Sequence, residues 1–113
     1  MFEDWKEHPK EQVDPTLLWE YDLKSEEWDW NVMAPRVVER VIERGQERDY
    51  YAILQLYGGF GNVREIVKQI RHLSPCDENW AAFVFHLKRE EMLCYKRRQF
   101  RKEHFGGHFP PFS

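Results

Sequence analysis

VVERVIERGQERDYYAILQLYGG, residues 37–59, decides the fold. Val37, Val38, Val41 and Ile42 are separated by steps of one, three and four, so they fall on one face of a helix. Arg36, Glu39, Arg40, Glu43 and Arg44 then make up its solvated face. Tyr50, Ile53, Leu54 and Tyr57 follow the i, i+3, i+4, i+7 spacing of a second helix. Gly45 lies between them and reads as a left-handed C-cap. The stretch therefore predicts two amphipathic helices meeting at a tight corner.

The same reading extends in both directions. The first of these helices spans Asn31 to Gly45, with Pro35 in its opening turn, and the second Gln46 to Tyr57. Gly58-Gly59-Phe60-Gly61 breaks the chain. Asn62 is expected to cap a third helix, with Val63, Ile66, Val67 and Ile70 inward and His72-Leu73 at its end. Ser74 before Pro75 is an N-cap signal, and Asp77 and Glu78 suit the positive end of the helix that follows. Trp80, Phe83 and Val84 are its expected buried face. After a break at His86-Leu87, Lys88 to about Arg98 forms a last helix with Leu87, Met92, Leu93 and Tyr95 inward. Upstream, Asp14-Pro15 opens a short helix through Leu17, Leu18 and Trp19. No segment sustains a period of two, and AFVFHL (82–87) is the one strand candidate. The expectation is an all-α fold, a bundle of about five short helices over residues 15–98. A loose N-terminal arm (1–14) and a flexible basic tail (99–113) flank it.

Length and composition bound the function. A chain of 113 residues, 42% apolar and 16% aromatic, fits one domain and is too rich in large side chains to be wholly disordered. Net charge is −3 but unevenly placed. Residues 95–113 carry Lys96, Arg97, Arg98, Arg101 and Lys102 against Glu103 alone, so the rest of the chain is strongly acidic. Cys76 and Cys94 form no CxxC pair, which favours a reducing, cytoplasmic setting. The polar opening, Met1 to Lys10, is unlike a secretory leader, and no apolar run is long enough to span a membrane.

Catalytic machinery is not visible. GGFGN (58–62) lacks the lysine and hydroxyl of a phosphate-binding P-loop, and no strand precedes it. Glu26/Glu27 and Glu90/Glu91 are chain neighbours that diverge by about 100° on a helix, so neither makes a two-carboxylate site. His72, Cys76, His86, Cys94, His104 and His108 include no close-spaced ligand pair on one element, since Gly106-Gly107 breaks the last two. A non-enzymatic protein without metal or cofactor is expected.

Binding features are clearer. WEYDLKSEEWDW (19–30) sets Trp19, Tyr21, Trp28 and Trp30 among five acids and one lysine. The tryptophans can be core, or they can be interface anchors with Glu26, Glu27 and Asp29 steering toward a basic partner. RRQFRKEHFGGHFPPFS (97–113) mixes basic and aromatic residues, as segments that stack on single-stranded nucleic acid do. Helices three and four, joined by Arg71–Ser74, have helix-turn-helix proportions, but residues 75–85 offer base edges only Asn79.

LLWEYD (17–22), VVERVIERG (37–45), Tyr57-Gly58, RHLSP (71–75) and LCY (93–95), in this order and spacing, resemble a small bacterial family of unknown function, the DUF6922-like proteins. The resemblance covers about residues 15–98. Leu18 and Glu20 depart from it, where the family tends to have Phe and Asp. It implies a gene neighbourhood shared with nucleotidyltransferase-type toxins, similar to those of abortive-infection systems in phage defence. The resulting expectation is an antitoxin that neutralises such a toxin by protein–protein contact. Trp19, Tyr21, Glu26, Glu27, Trp28, Asp29 and Trp30 are its contact patch, and Lys96, Arg97, Arg98, Arg101 and Lys102 a second contact. The alternative is a helix-turn-helix-like DNA-binding regulator, repressing its own operon. A homodimer stays open, because few short helices can leave an apolar face uncovered.

Overall fold

Met33 ends a run of turns, and the chain enters α1 at Ala34–Arg44, with Pro35 in the first turn, where its missing N–H costs no hydrogen bond. A computed structural model of the chain describes residues 2–8 and 11–104, with side chains up to Arg101. Four further helices follow: α2 (Glu47–Tyr57), α3 (Phe60–Gln69), α4 (Pro75–Phe85) and α5 (Leu93–His104). Short 3-10 turns lie at Trp5–Glu7, Pro15–Leu18 and Arg89–Glu91. The architecture is all-α, with no strand among the described residues.

Helix α3 is the hub, touching α1, α2, α4 and α5. Its Val63 and Val67, and Ile70 just past its end, are fully enclosed together with Val37, Val38 and Val41 of α1, as their spacing predicts. Asp14 caps the Pro15–Leu18 turn by accepting from the Thr16 N–H, and Leu18 enters the core beside α1. Ser74 caps α4 through the Asp77 N–H. His86 closes α4 in the left-handed conformation, φ 57°.

Several elements differ from the sequence expectation. Gly45 is extended (φ −72°, ψ 157°) rather than left-handed. Glycine is needed there for space, since a Cβ would lie 2.5 Å from the Val41 carbonyl oxygen. The left-handed residue is Gly58, φ 86°, at the end of α2. Helix α3 starts two residues before Asn62, which instead donates to the Tyr57 carbonyl. Glu39 is buried on α1 with Arg36 hydrogen-bonded to it at 2.8 Å. Burial pushes its carboxyl pKa up, against the opposing pull of Arg36.

Helix α4 buries Val84 as expected but not Trp80 or Phe83. Glu78, Ala81, Val84 and Phe85 are buried, whereas Trp80 and Phe83 are 37% and 64% exposed. The WAAFVF run is apolar on every side, so periodicity alone selects no face. The last helix divides into the Arg89–Glu91 turn and α5, which continues to His104 where the sequence suggested an end near Arg98. The tail expected to be flexible lies, from residue 105 on, outside the described residues.

At the other terminus the arm touches α2. Phe2 stacks on Tyr50 at 4.8 Å, His8 stacks on Tyr51 at 3.9 Å, and Gln55 donates to the Trp5 carbonyl at 2.6 Å. Buried Asp49 fixes the next stretch, accepting from the Asp14 and Gln46 backbone N–H groups. These contacts bring residues 11–20 to the edge from which the acidic aromatic segment departs.

Candidate functional site

Residues 19–30 form turns rather than helix, because their short polar side chains satisfy the backbone locally. Asp22 accepts from the Lys24 N–H at 3.0 Å, Ser25 from Glu27 at 3.1 Å, and Asp29 from Asn31 at 2.8 Å. The aromatic residues between these turns reach inward. Tyr21, Trp28 and Trp30 are half-buried against the core, with Tyr21–Trp28 and Trp28–Trp30 ring centroids both 5.2 Å apart. The Tyr57 hydroxyl donates to the Trp30 carbonyl at 2.8 Å. From α1, Arg40 donates to the Leu17 carbonyl at 3.1 Å and pairs with Glu20 at 2.8 Å. The segment is irregular yet tied to α1 and α2 at several points.

This arrangement sorts the sequence-predicted contact residues. Tyr21, Trp28 and Trp30 act as staples. Trp19 stands out, 73% exposed, and Val32 beyond the segment is 72% exposed. Asp22, Glu26, Glu27 and Asp29 are all exposed. The segment thus carries one exposed indole and four exposed carboxylates on a braced loop.

The basic residues occupy a separate element. Lys96 and Arg101 of α5 are exposed. Arg97 donates to the Arg71 carbonyl at 3.4 Å and lies 3.3 Å from His72 Nε2. Arg98 is committed within the chain, to Glu78 of α4 at 2.9 and 2.8 Å. The Lys102 side chain lies outside the described residues. Among the described residues, no hydrogen bond, ion pair or ring contact joins this group to residues 19–30.

Sequence reading missed Glu78 as a buried centre. It lies 20 residues before Arg98, and no local pattern signals a pair at that distance. The Cys94 thiol donates to Glu78 at 3.3 Å, and burial pushes its pKa up to about 11, with Glu78 adding to the effect. No group of metal-ligating side chains occurs among the described residues. On α4 the exposed residues include Cys76, Asn79, Trp80 and Phe83, none of them basic. No helix among the described residues is long and apolar enough to cross a membrane.

Residues 13–67 match the model of a family of unknown function, DUF6922. That span contains the acidic aromatic segment, α1, α2 and most of α3. No curated protein and no solved structure matches the chain.

Proposed function

We propose that this chain is an antitoxin that binds a nucleotidyltransferase-type toxin by protein–protein contact through the outer surface of residues 19–30. The observation that carries this reading is Trp19, 73% exposed on a segment pinned by Tyr21, Trp28 and Trp30. A tryptophan held in water by a braced backbone loses little further entropy on docking, and tryptophan is enriched among interface hot spots. Exposed Asp22, Glu26, Glu27 and Asp29 favour a basic partner and speed its approach. A surface that holds nucleotide or RNA is basic for its own chemistry, which suits the toxin class implied by the family resemblance. Lys96, Arg97 and Arg101 form a second surface of opposite sign that this contact does not require.

Growth rescue tests the reading. The full chain, co-expressed with the neighbouring toxin gene, restores growth. Trp19→Ala and the pair Glu26→Lys/Glu27→Lys abolish rescue while circular dichroism and melting stay native. Full rescue by both variants would contradict the proposal. The DNA-binding alternative has less support, since α4 turns Asn79, Trp80 and Phe83 outward and offers no cation to phosphates.

A further inference from the structure

The corner between α1 and α2 meets the first turn of α4 and leaves an open hollow of about 630 Å³. The rings of Phe2, Tyr50 and Trp80, the carboxylates of Glu47 and Asp77, and the exposed Cys76 line it. None of its lining residues belongs to residues 19–30. Trp80 is held in place, since its indole N–H donates to the Tyr50 hydroxyl at 2.7 Å. Phe2 stacks on the same tyrosine. Beyond Trp80, the exposed ring of Phe83 lies 6.3 Å away and continues the apolar surface along α4.

Asp77 accepts from the Ser74 hydroxyl at 2.9 Å. Glu47 meets the Tyr51 hydroxyl only at 3.4 Å, because that hydroxyl donates to Asp4 at 2.8 Å. Neither carboxylate has a cationic partner among the described residues. Glu47 and Asp77 lie in the first turns of α2 and α4, and each helix N-terminus carries about half a positive charge. The two carboxylates more than offset this and leave about one net negative charge. Unpaired carboxylates beside aromatic rings suit a guanidinium group. It is planar and weakly hydrated, so it stacks on an indole while its N–H fork pairs with carboxylates, whereas an ammonium group holds its water more strongly. The 6.3 Å from Trp80 to Phe83 also fits the roughly 5–6 Å between side chains four apart on a helix. An apolar side chain four residues from such an arginine would reach Phe83.

We propose that the hollow and the outer face of α4 dock a helix of a partner protein, with an arginine stacked on Trp80 and paired with Glu47 and Asp77, and an apolar side chain on Phe83. Charge complementarity selects the occupant. The site is separate from the Trp19 surface, so its failure would leave the antitoxin reading intact.

Fluorescence anisotropy with the full chain tests it, using a labelled alanine-rich helical peptide that carries one arginine and one leucine four residues apart. Saturable binding is expected at about 50 mM salt, weakening as salt rises. Citrulline in place of the arginine keeps the shape, removes the charge and weakens binding at least about tenfold. Glu47→Gln/Asp77→Asn weakens it about tenfold, and Trp80→Leu about fivefold. The bound peptide also slows reaction of the Cys76 thiol with a chromogenic disulfide. Glu26→Lys/Glu27→Lys leaves binding unchanged. The proposal is overturned if the peptide does not bind at about 500 µM chain and low salt, or if the citrulline peptide binds equally well. Unchanged binding in a natively folded Glu47→Gln/Asp77→Asn variant also overturns it, as does loss of binding in Glu26→Lys/Glu27→Lys. A dimer by light scattering that Phe83→Glu disperses would assign this face to a second copy of the chain and overturn it as well.

Discussion

Glu78 of α4 is completely enclosed and holds both terminal nitrogens of Arg98 from α5, at 2.9 and 2.8 Å. Arg89 adds a bond to the same carboxylate at 2.7 Å, and the Cys94 thiol adds another at 3.3 Å. Each carboxylate oxygen therefore receives two donors. The Tyr95 ring lies against both guanidinium groups, 5.5 Å from Arg89 and 5.7 Å from Arg98. This clamp fixes α5 and the Arg89–Glu91 turn to α4. Burial pushes the Glu78 carboxyl up, but the bonds from Arg98, Arg89 and Cys94 outweigh it and hold the pKa below its ordinary value.

Arg98→Met should destabilise the fold by about 2–3 kcal/mol, less than for a wholly buried pair because Arg98 is partly hydrated. The double variant Glu78→Gln/Arg98→Met should recover part of that loss in urea unfolding, since no buried charge is then left unpaired. A lowered folded-state pKa means that the unfolded chain takes the proton first. The stability Glu78 contributes is complete above the ordinary value of 4.5 and is lost as pH falls through the folded pKa. Melting temperature should drop as pH falls below about 4.5, and Glu78→Gln should make that drop shallower. An equally steep fall in the variant would contradict the clamp.

The two thiols should react differently. Cys76 is exposed, whereas Cys94 is buried with its pKa pushed up to about 11. Reactivity follows the exposed thiolate. Titration with a chromogenic disulfide near pH 8 should give one fast thiol in the native chain and two in denaturant. A second fast thiol without denaturant would mean that α5 is not seated on α4.

Two glycines near the start of α3 should respond in opposite senses. Gly59 has φ 110°, and a Cβ there would meet the Trp5 indole at 3.0 Å. Gly59→Ala should cost about 1–3 kcal/mol, through the strained backbone and displacement of Trp5. Gly61 lies within α3 with nothing near the position of a Cβ. Gly61→Ala should stabilise by about 0.4–1 kcal/mol. Thermal melts of the two single variants check both signs.

Much of this arrangement is legible in the sequence. The α1 and α3 stripes, the Asp14 and Ser74 caps and the break at His86 each follow from residues close together on the chain. The buried face of α4 is not legible, because Ala81, Ala82, Phe83, Val84 and Phe85 surround the helix with apolar groups and Glu78 goes inward only when Arg89 and Arg98 arrive from later segments. The 19–30 segment is an intermediate case. Its turn-forming Asp22, Ser25 and Asp29 are readable, but which tryptophan faces water depends on α1 and α2. Long-range partners, rather than local propensity, decide both.

Trp28 tests that division. Its indole N–H is buried without a partner among the described residues, which costs about 1–3 kcal/mol where it occurs. Trp28→Phe removes the orphan donor along with some packing, so its net effect should stay within about 1 kcal/mol. Trp28→Ala should cost about 3 kcal/mol from lost packing. Equal losses in the two variants would show that the indole N–H has a partner.

The most direct test of the account is co-purification of the tagged chain with its neighbouring nucleotidyltransferase, followed by size exclusion with light scattering. The account predicts a stable complex with the wild-type chain and no complex with Trp19→Ala, whose fold stays native. Absence of a wild-type complex, or retention of the full complex by Trp19→Ala, would contradict it.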